Sequence, residues 1–274
     1  MKDSSVRASI NYLGAMAVRP AFHAHDFARD NLVLDAREVE IQNGRAAPRP
    51  ATLAAEGFVL VPSPSKVVDY RDTAEIQRVY LPQMERLLLD LTGAKRVLMF
   101  PGGVLRFGER SKDYRTTFNS RPARFTHVDY TRISAPSLLR SRLAAAGIHV
   151  LPRGRFAGYN IWRVLTPPPQ DVPLGVCDAR SVASGDLVPG DAVFDAPGAA
   201  EFSFEAYLVR HSAQHRWTYF PDMRPDEALV FKAYDTVPAA PQCVPHCAFT
   251  DPTCPPGVAP RASIEVRGFA FFDD

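Results

Sequence analysis

Short apolar runs broken by proline set the first limit on this chain. Twenty-five prolines are spread over 274 residues. A proline fixes its own φ, donates no backbone hydrogen bond, and ends or bends a helix. A chain punctuated in this way builds short strands and fixed loops rather than a helical bundle. The runs between the breaks agree. Phe58 to Val61, Arg96 to Phe100, Tyr159 to Leu165, Ala228 to Tyr234, His246 to Phe249 and Ser263 to Phe272 are short and rich in β-branched or aromatic residues. They predict a mainly β fold with flanking helices and a jelly-roll core.

Two segments carry helical spacing instead. Between Thr73 and Leu91 the apolar positions Ile76, Val79, Tyr80, Met84, Leu87, Leu88 and Leu91 recur on one face, and Thr92-Gly93 stops the run. Pro82 inside it predicts a kink or a split. Ser137 to Gly147 predicts a second, shorter helix. Residues 5 to 60 read as an irregular arm with short strands ahead of a single domain spanning 1–274. The stretch from Pro101 to Arg124 reads as a long basic loop at the mouth, placed to close over a ligand. Glu205 to His211 and His215 to Phe220 read as an antiparallel pair around a short turn.

The chemistry is concentrated in Phe125-Thr126-His127-Val128-Asp129-Tyr130. In a strand, residues two apart point to the same face. His127 and Asp129 therefore converge, and an imidazole beside a carboxylate is two-thirds of the facial triad that holds non-haem Fe(II). The third ligand is sought among His149, His211, His215 and His246. Fifteen residues beyond His246 stands Arg261-Ala262-Ser263, whose first and last side chains share a face. A guanidinium there can fork onto a carboxylate, with the serine hydroxyl adding a third hydrogen bond. This favours His246 over His215. Arg267, also on the Arg261 face, is the alternative clamp.

Other readings compete at the same residues. Cys243, His246, Cys247 and Cys254 form a soft-ligand cluster that could hold zinc, although adjacent His246 and Cys247 point to opposite faces in a strand. A jelly-roll binding protein, or a metal cupin enzyme that needs no keto acid, would also satisfy the β pattern. His23 and His25 read as a solvated surface pair.

The order His-x-Asp, long gap, His, Arg-x-Ser resembles Fe(II)/2-oxoglutarate oxygenases. The blocks "RVYLPQMERLLLDLTGAKRVLMF", "THVDYT", "YNIWRVL", "PLGVCDARSV", "HRWTYFPDMRPDEALVFKAYDT" and "PRASIEVRGFAFF" extend the likeness to the CmcJ/NvfI family of oxidoreductases. That family includes gibberellin desaturase-like, cephem-methoxylation and fungal meroterpenoid-pathway proteins. The resemblance covers roughly residues 8 to 272. It implies a double-stranded β-helix oxygenase that uses Fe(II), 2-oxoglutarate and O2 on small molecules of secondary metabolism. It implies Arg261 and Ser263 at the far carboxylate of 2-oxoglutarate.

Bulk properties set the partners. The net charge of +2 demands no nucleic acid. No apolar run approaches the length of a membrane span. Four cysteines and no export-type leader predict a reducing, cytoplasmic setting. Self-association is left open. Asn160 and Trp162 share one strand face and are candidate pocket residues, Asn160 beside the co-substrate. Tyr130, Arg132, Trp162, Arg163, Trp217 and Tyr219, with His215, are the candidate substrate lining. Aromatic walls suit an apolar body and arginines suit a carboxylate handle.

Overall fold

The computed structural model describes residues 4–115, 121–148, 154–198 and 200–273. In chain order its strands begin with β1 (Ser5–Leu13), β2 (Ala21–His23), β3 (Leu34–Asn43), β4 (Phe58–Pro62), β5 (Arg96–Met99) and β6 (Val104–Phe107). They continue with β7 (His127–Val128), β8 (Phe156–Val164), β9 (Leu174–Cys177), β10 (Leu187–Phe194) and β11 (Phe202–Val209). The last four are β12 (Trp217–Tyr219), β13 (Glu227–Asp235), β14 (His246–Ala248) and β15 (Ala262–Phe271). Among the described residues two α-helices of 12 residues accompany them, α1 (Leu81–Thr92) and α2 (Ser134–Ala145), with a single short turn at Thr73–Glu75 ahead of α1.

Two sheets face one another. The larger runs β1-β3-β12-β9-β14-β7-β11-β10-β2, and the smaller runs β4-β13-β8-β15-β5 with β6 also paired to β15. Strand alternation divides the small sheet into two faces. Leu229 and Phe231 of β13, with Trp162 and Val164 of β8, pack inward against Leu174 and Val176 of the large sheet. Tyr159, Ile161, Val230, Ile264 and Val266 turn outward, where Tyr80, Met84 and Leu88 cover them. The architecture is therefore mainly β with few helices, as the proline pattern requires.

The helical segment deals with Pro82 in its own way. It runs without splitting, because a π turn over Ile76–Tyr80 lets the Leu81 amide reach the Ile76 carbonyl. Pro82 then falls in the first turn of α1, where its missing N–H costs nothing. Gly93 ends the helix in the left-handed conformation that a Cβ disfavours, with φ of 68°. The second helix begins three residues before its expected start, where the Thr131 hydroxyl receives the Ser134 amide.

Three expectations are corrected here. The N-terminal segment is no irregular arm. β1 and β3 pair over nine residues, and the ribbon they form folds across the outer face of the large sheet. There the Asn11 carbonyl accepts the Thr126 amide at 2.8 Å, and Trp217 donates to the Tyr12 hydroxyl at 2.6 Å. Secondly, β11 and β12 do not pair with each other. β11 lies between β10 and β7, while β12 bridges β3 and β9. Their connection crosses the sheet rather than forming a hairpin. Thirdly, the loop from Pro101 to Arg124 contains β6, paired to β15. Residues 116–120 of that loop lie outside the described residues, as does His149.

Arg163 also leaves the expected mouth. It is fully buried on the outer face of β8, where it donates to the Tyr80 hydroxyl (3.1 Å), the Pro225 carbonyl (2.6 Å) and the Ser63 hydroxyl (3.0 Å). Among the described residues no helix is long and apolar enough to cross a membrane. Arg163→Ala strips partners from three groups and leaves a cavity. Urea unfolding is expected to show a loss of about 3 kcal/mol, with metal binding by the folded protein unchanged. Weakened metal binding at undiminished stability would put Arg163 back in the site.

Candidate metal centre

His127 opens β7 and His246 opens β14, and the two residues face each other directly in the antiparallel register. Their rings stand 4.2 Å apart between centroids. Asp129, two residues on from His127, lies on the same face. One ligand atom from each of His127, Asp129 and His246 falls within 4.8 Å of the others, and all three residues are buried between the sheets.

Each histidine is oriented by the backbone just ahead of its strand. His127 Nδ1 lies 3.0 Å from the Phe125 carbonyl, and His246 Nδ1 lies 3.2 Å from the Val244 carbonyl. A carbonyl only accepts, so Nδ1 carries the proton and the lone pair on Nε2 faces the centre. Burial is the main reason that the His127 pKa is pushed down to about 3, and two protonated imidazoles this close would repel, so the neighbouring His246 adds to it. Burial also lowers His246. Both imidazoles are thus neutral and ready to donate.

The carboxylate is fixed from the opposite sheet. Asn160 Nδ2 of β8 donates to Asp129 at 2.5 Å, and Arg267 Nη2 of β15 donates to it at 3.1 Å. Burial opposes the charge on Asp129, but Arg267, the two histidines and Asn160 outweigh it and hold the carboxyl well below its usual range. Arg267 also binds Glu265. Two neutral imidazoles and one ionised carboxylate on one side of a centre match the donor set of a facial Fe(II) site, so the residues fit that metal.

Arg261 is placed differently. It immediately precedes β15, fully enclosed, on the side of the sheet opposite His246 rather than on a neighbouring strand of the same sheet. Its Nη1 donates to Ser263 at 2.7 Å, while Nε and Nη2 are buried without a partner. The Trp162 ring lies 5.7 Å below the guanidinium. Burial, reinforced by the like charges of Arg106 and Arg124, lowers the Arg261 pKa to about 9. Arginine nevertheless stays charged, so this environment calls for an anion. Arg106 was not singled out in the sequence because its four-residue strand is hidden in a presumed loop. It stands opposite Ser263 in the β6–β15 register and lines the metal-side cavity.

The remaining candidates separate by face. His246 and Val176 are register partners, and so are Val176 and Thr218, which puts these three on the inner face. Trp217 and Tyr219 therefore point to the outer face, into the cluster beneath β1. His215 stacks on Tyr12 and contacts Asp186, so it joins no metal cluster. The zinc arrangement fails for the same reason: Cys247 is turned away from His246 into that outer cluster. Among the described residues, His127, Asp129 and His246 are the group placed to hold a metal. His23, expected at the surface, is buried and lines the metal-side cavity. Tyr130 is buried, and with Arg132 it also lines a cavity of about 700 Å³ that contains none of the three metal candidates.

A family model described as an oxidoreductase/YMDC permease-like domain matches residues 10–271. The chain belongs to this family. Within it, the Fe(II)/2-oxoglutarate-dependent dioxygenase nvfI of Aspergillus novofumigatus is 30% identical over 224 residues, 80% of this chain and 77% of that protein. The hydroxylase/desaturase CTB9 of Cercospora beticola is 30% identical over 259 residues, 88% of this chain and 78% of that one. A solved structure of the iron and alpha-ketoglutarate-dependent endoperoxidase NvfI covers 100% of both chains with a TM-score of 0.81 at 23% identity. The two share the double-stranded β-helix type of fold.

The lowered histidine pKa values have a measurable consequence. A histidine in the unfolded chain titrates near 6.5, so below that pH the unfolded state binds protons that the folded state refuses. Stability of the metal-free protein must fall as pH drops from about 6.5 toward 5, by up to roughly 1.4 kcal/mol per pH unit for each histidine. Replacing one histidine, as in His127→Gln, is expected to make the curve shallower by one such contribution. Parallel curves for the two proteins, measured by urea unfolding, would show that His127 is not buried in its neutral form.

Proposed function

We propose that this chain folds as one oxygenase domain that oxidises an unactivated C–H bond of a small molecule, with iron held by His127, Asp129 and His246. It is an Fe(II)/2-oxoglutarate-dependent dioxygenase of the secondary-metabolism type found among its relatives. The bound metal, with 2-oxoglutarate and O2, supplies the oxidising power, and the keto acid leaves as succinate and carbon dioxide. The protein's share is position, charge and exclusion of water.

One observation carries the assignment of the co-substrate. Arg261, just ahead of β15, and Arg267 within it share the same alternation, but Arg267 is already committed to Asp129 and Glu265. Arg261 is buried with two unpaired N–H groups and a serine hydroxyl beside it. It is therefore the group suited to receive the far carboxylate of 2-oxoglutarate. Arg106 adds positive charge between this clamp and the metal ligands. Asn160 acts on the carboxylate ligand, Asp129, rather than on the keto acid. Whether hydroxylation, desaturation or ring formation follows depends on how the substrate is placed within an ångström or so.

Arg261→Ala is expected to raise the 2-oxoglutarate requirement steeply while iron content stays near that of the parent. Loss of a buried charged clamp costs on the order of 2–5 kcal/mol, roughly thirtyfold or more in affinity. Arg267→Ala is expected to weaken iron retention first, because it frees the Asp129 carboxylate. Asp129→Ala should abolish iron-dependent succinate formation and keep the fold. Succinate yield against 2-oxoglutarate concentration, together with iron content, distinguishes these outcomes. If Arg267→Ala alone raises the 2-oxoglutarate requirement, the clamp is misassigned. Bound iron without succinate from any substrate would favour a metal enzyme that needs no keto acid.

A further inference from the structure

Beyond the metal lies a chamber that these roles leave unused. It has a volume of about 270 Å³ and is walled by Phe100, Tyr130, Arg142, Phe194, Phe202 and Phe204, with Glu265 and Arg267 of β15 at its inner end. Phe194, Phe204 and Arg267 also line the cavity that contains His127 and Asp129. The two spaces therefore share a wall, and a molecule in the chamber lies beside the metal ligands.

The wall has a definite chemistry. Phe194 stacks nearly parallel on Phe202, at 4.8 Å and 12°, and on Phe204, at 5.3 Å and 22°. Phe202 is half exposed, so this aromatic series runs from solvent to the metal-side cavity. Two donors interrupt the apolar surface. Tyr130 is 3% exposed and its hydroxyl is buried without a hydrogen-bond partner. Arg142 of α2 lies with its guanidinium 4.8 Å from the Phe100 ring centre, and its Nε is buried and unpartnered. Glu265, the chamber's carboxylate, is already bound to Arg267. A wholly apolar occupant would leave both donors unsatisfied in a dry site, which is unfavourable.

We propose that the substrate is a flat, conjugated ring system carrying an anionic oxygen, stacked along the phenylalanines with that oxygen on Arg142 and Tyr130. The proposal rests on the oxygenase reading above and adds to it the substrate class and the residues that choose it. Stacking suits planar rings, and a guanidinium beside a hydroxyl suits carboxylate, phenolate or enolate oxygen. The cavity beside Arg132 is larger, but none of its lining residues also lines the cavity of His127 and Asp129, as Phe194, Phe204 and Arg267 of the chamber do, so it is not the reaction chamber.

The test is a titration of the full chain, loaded with Fe(II) and 2-oxoglutarate without O2, by 1-hydroxy-2-naphthoate, 2-methoxynaphthalene and abietate. These are planar and anionic, planar and neutral, and anionic and non-planar. Ligand fluorescence or calorimetry reports affinity, and the same titration is repeated on metal-free protein. Hydroxynaphthoate is expected to bind tightest. Arg142→Ala should weaken it about tenfold, and Tyr130→Phe, which removes only the hydroxyl, severalfold. Arg142→Lys should restore part of the loss, and Arg132→Ala should change nothing. The proposal is overturned if Arg132→Ala weakens binding and Arg142→Ala does not, or if abietate or methoxynaphthalene binds as tightly as hydroxynaphthoate. Arg142-dependent binding in a protein that never forms succinate would sink the oxygenase reading and keep the chamber assignment. Succinate formation with Arg142-independent binding would do the reverse.

Discussion

The Asp129 carboxylate is the point on which the two sheets meet. It projects from the end of β7 in the large sheet, and it is held by Asn160 and Arg267 of the small one. A carboxylate this deeply enclosed is tolerated only when paired and hydrogen-bonded. Its partners therefore fix the separation of the sheets where the two histidines converge. Removing either partner disturbs both the metal ligand and the closure of the barrel. This coupling explains why Arg267, though it shares a face with Arg261, has a different task.

The division of labour along β15 follows from strand alternation. Ser263, Glu265 and Arg267 form one inward row, and Arg261, just ahead of the strand, continues its spacing. Arg261 and Ser263 face an enclosed end with unsatisfied donors, and Glu265 and Arg267 form a closed charge network with Asp129. Spacing of two residues makes the row, but the partners each member finds across the gap assign the roles. In the proposed reading, a single strand with the residue ahead of it would serve co-substrate, metal ligand and substrate chamber in succession.

Much of this arrangement was legible in the sequence. His127 and Asp129 are two residues apart in a strand, so their convergence needs no knowledge of the fold. The inward row of β15 follows from the same rule, and the helix over Thr73 to Thr92 from its apolar spacing. What remained hidden depends on register and on pairing at a distance. Trp217 and Tyr219 look like pocket residues, yet a shift of one position along a strand exchanges core face for outer face, and the pairing of β12 with β3 and β9 lies far away in sequence. Arg163 was misplaced because nothing local says that its buried face lies under a helix. Arg106 escaped because four strand residues between glycine-rich turns give too short a pattern to read.

The two imidazoles share one further property. Each is aligned by a backbone carbonyl two residues upstream, just ahead of its strand, rather than by a neighbouring side chain. No substitution deletes a backbone carbonyl. The histidine ends of the site are therefore insulated from changes in the surrounding side chains, and evolution can rebuild the walls around them for new molecules without loosening either imidazole.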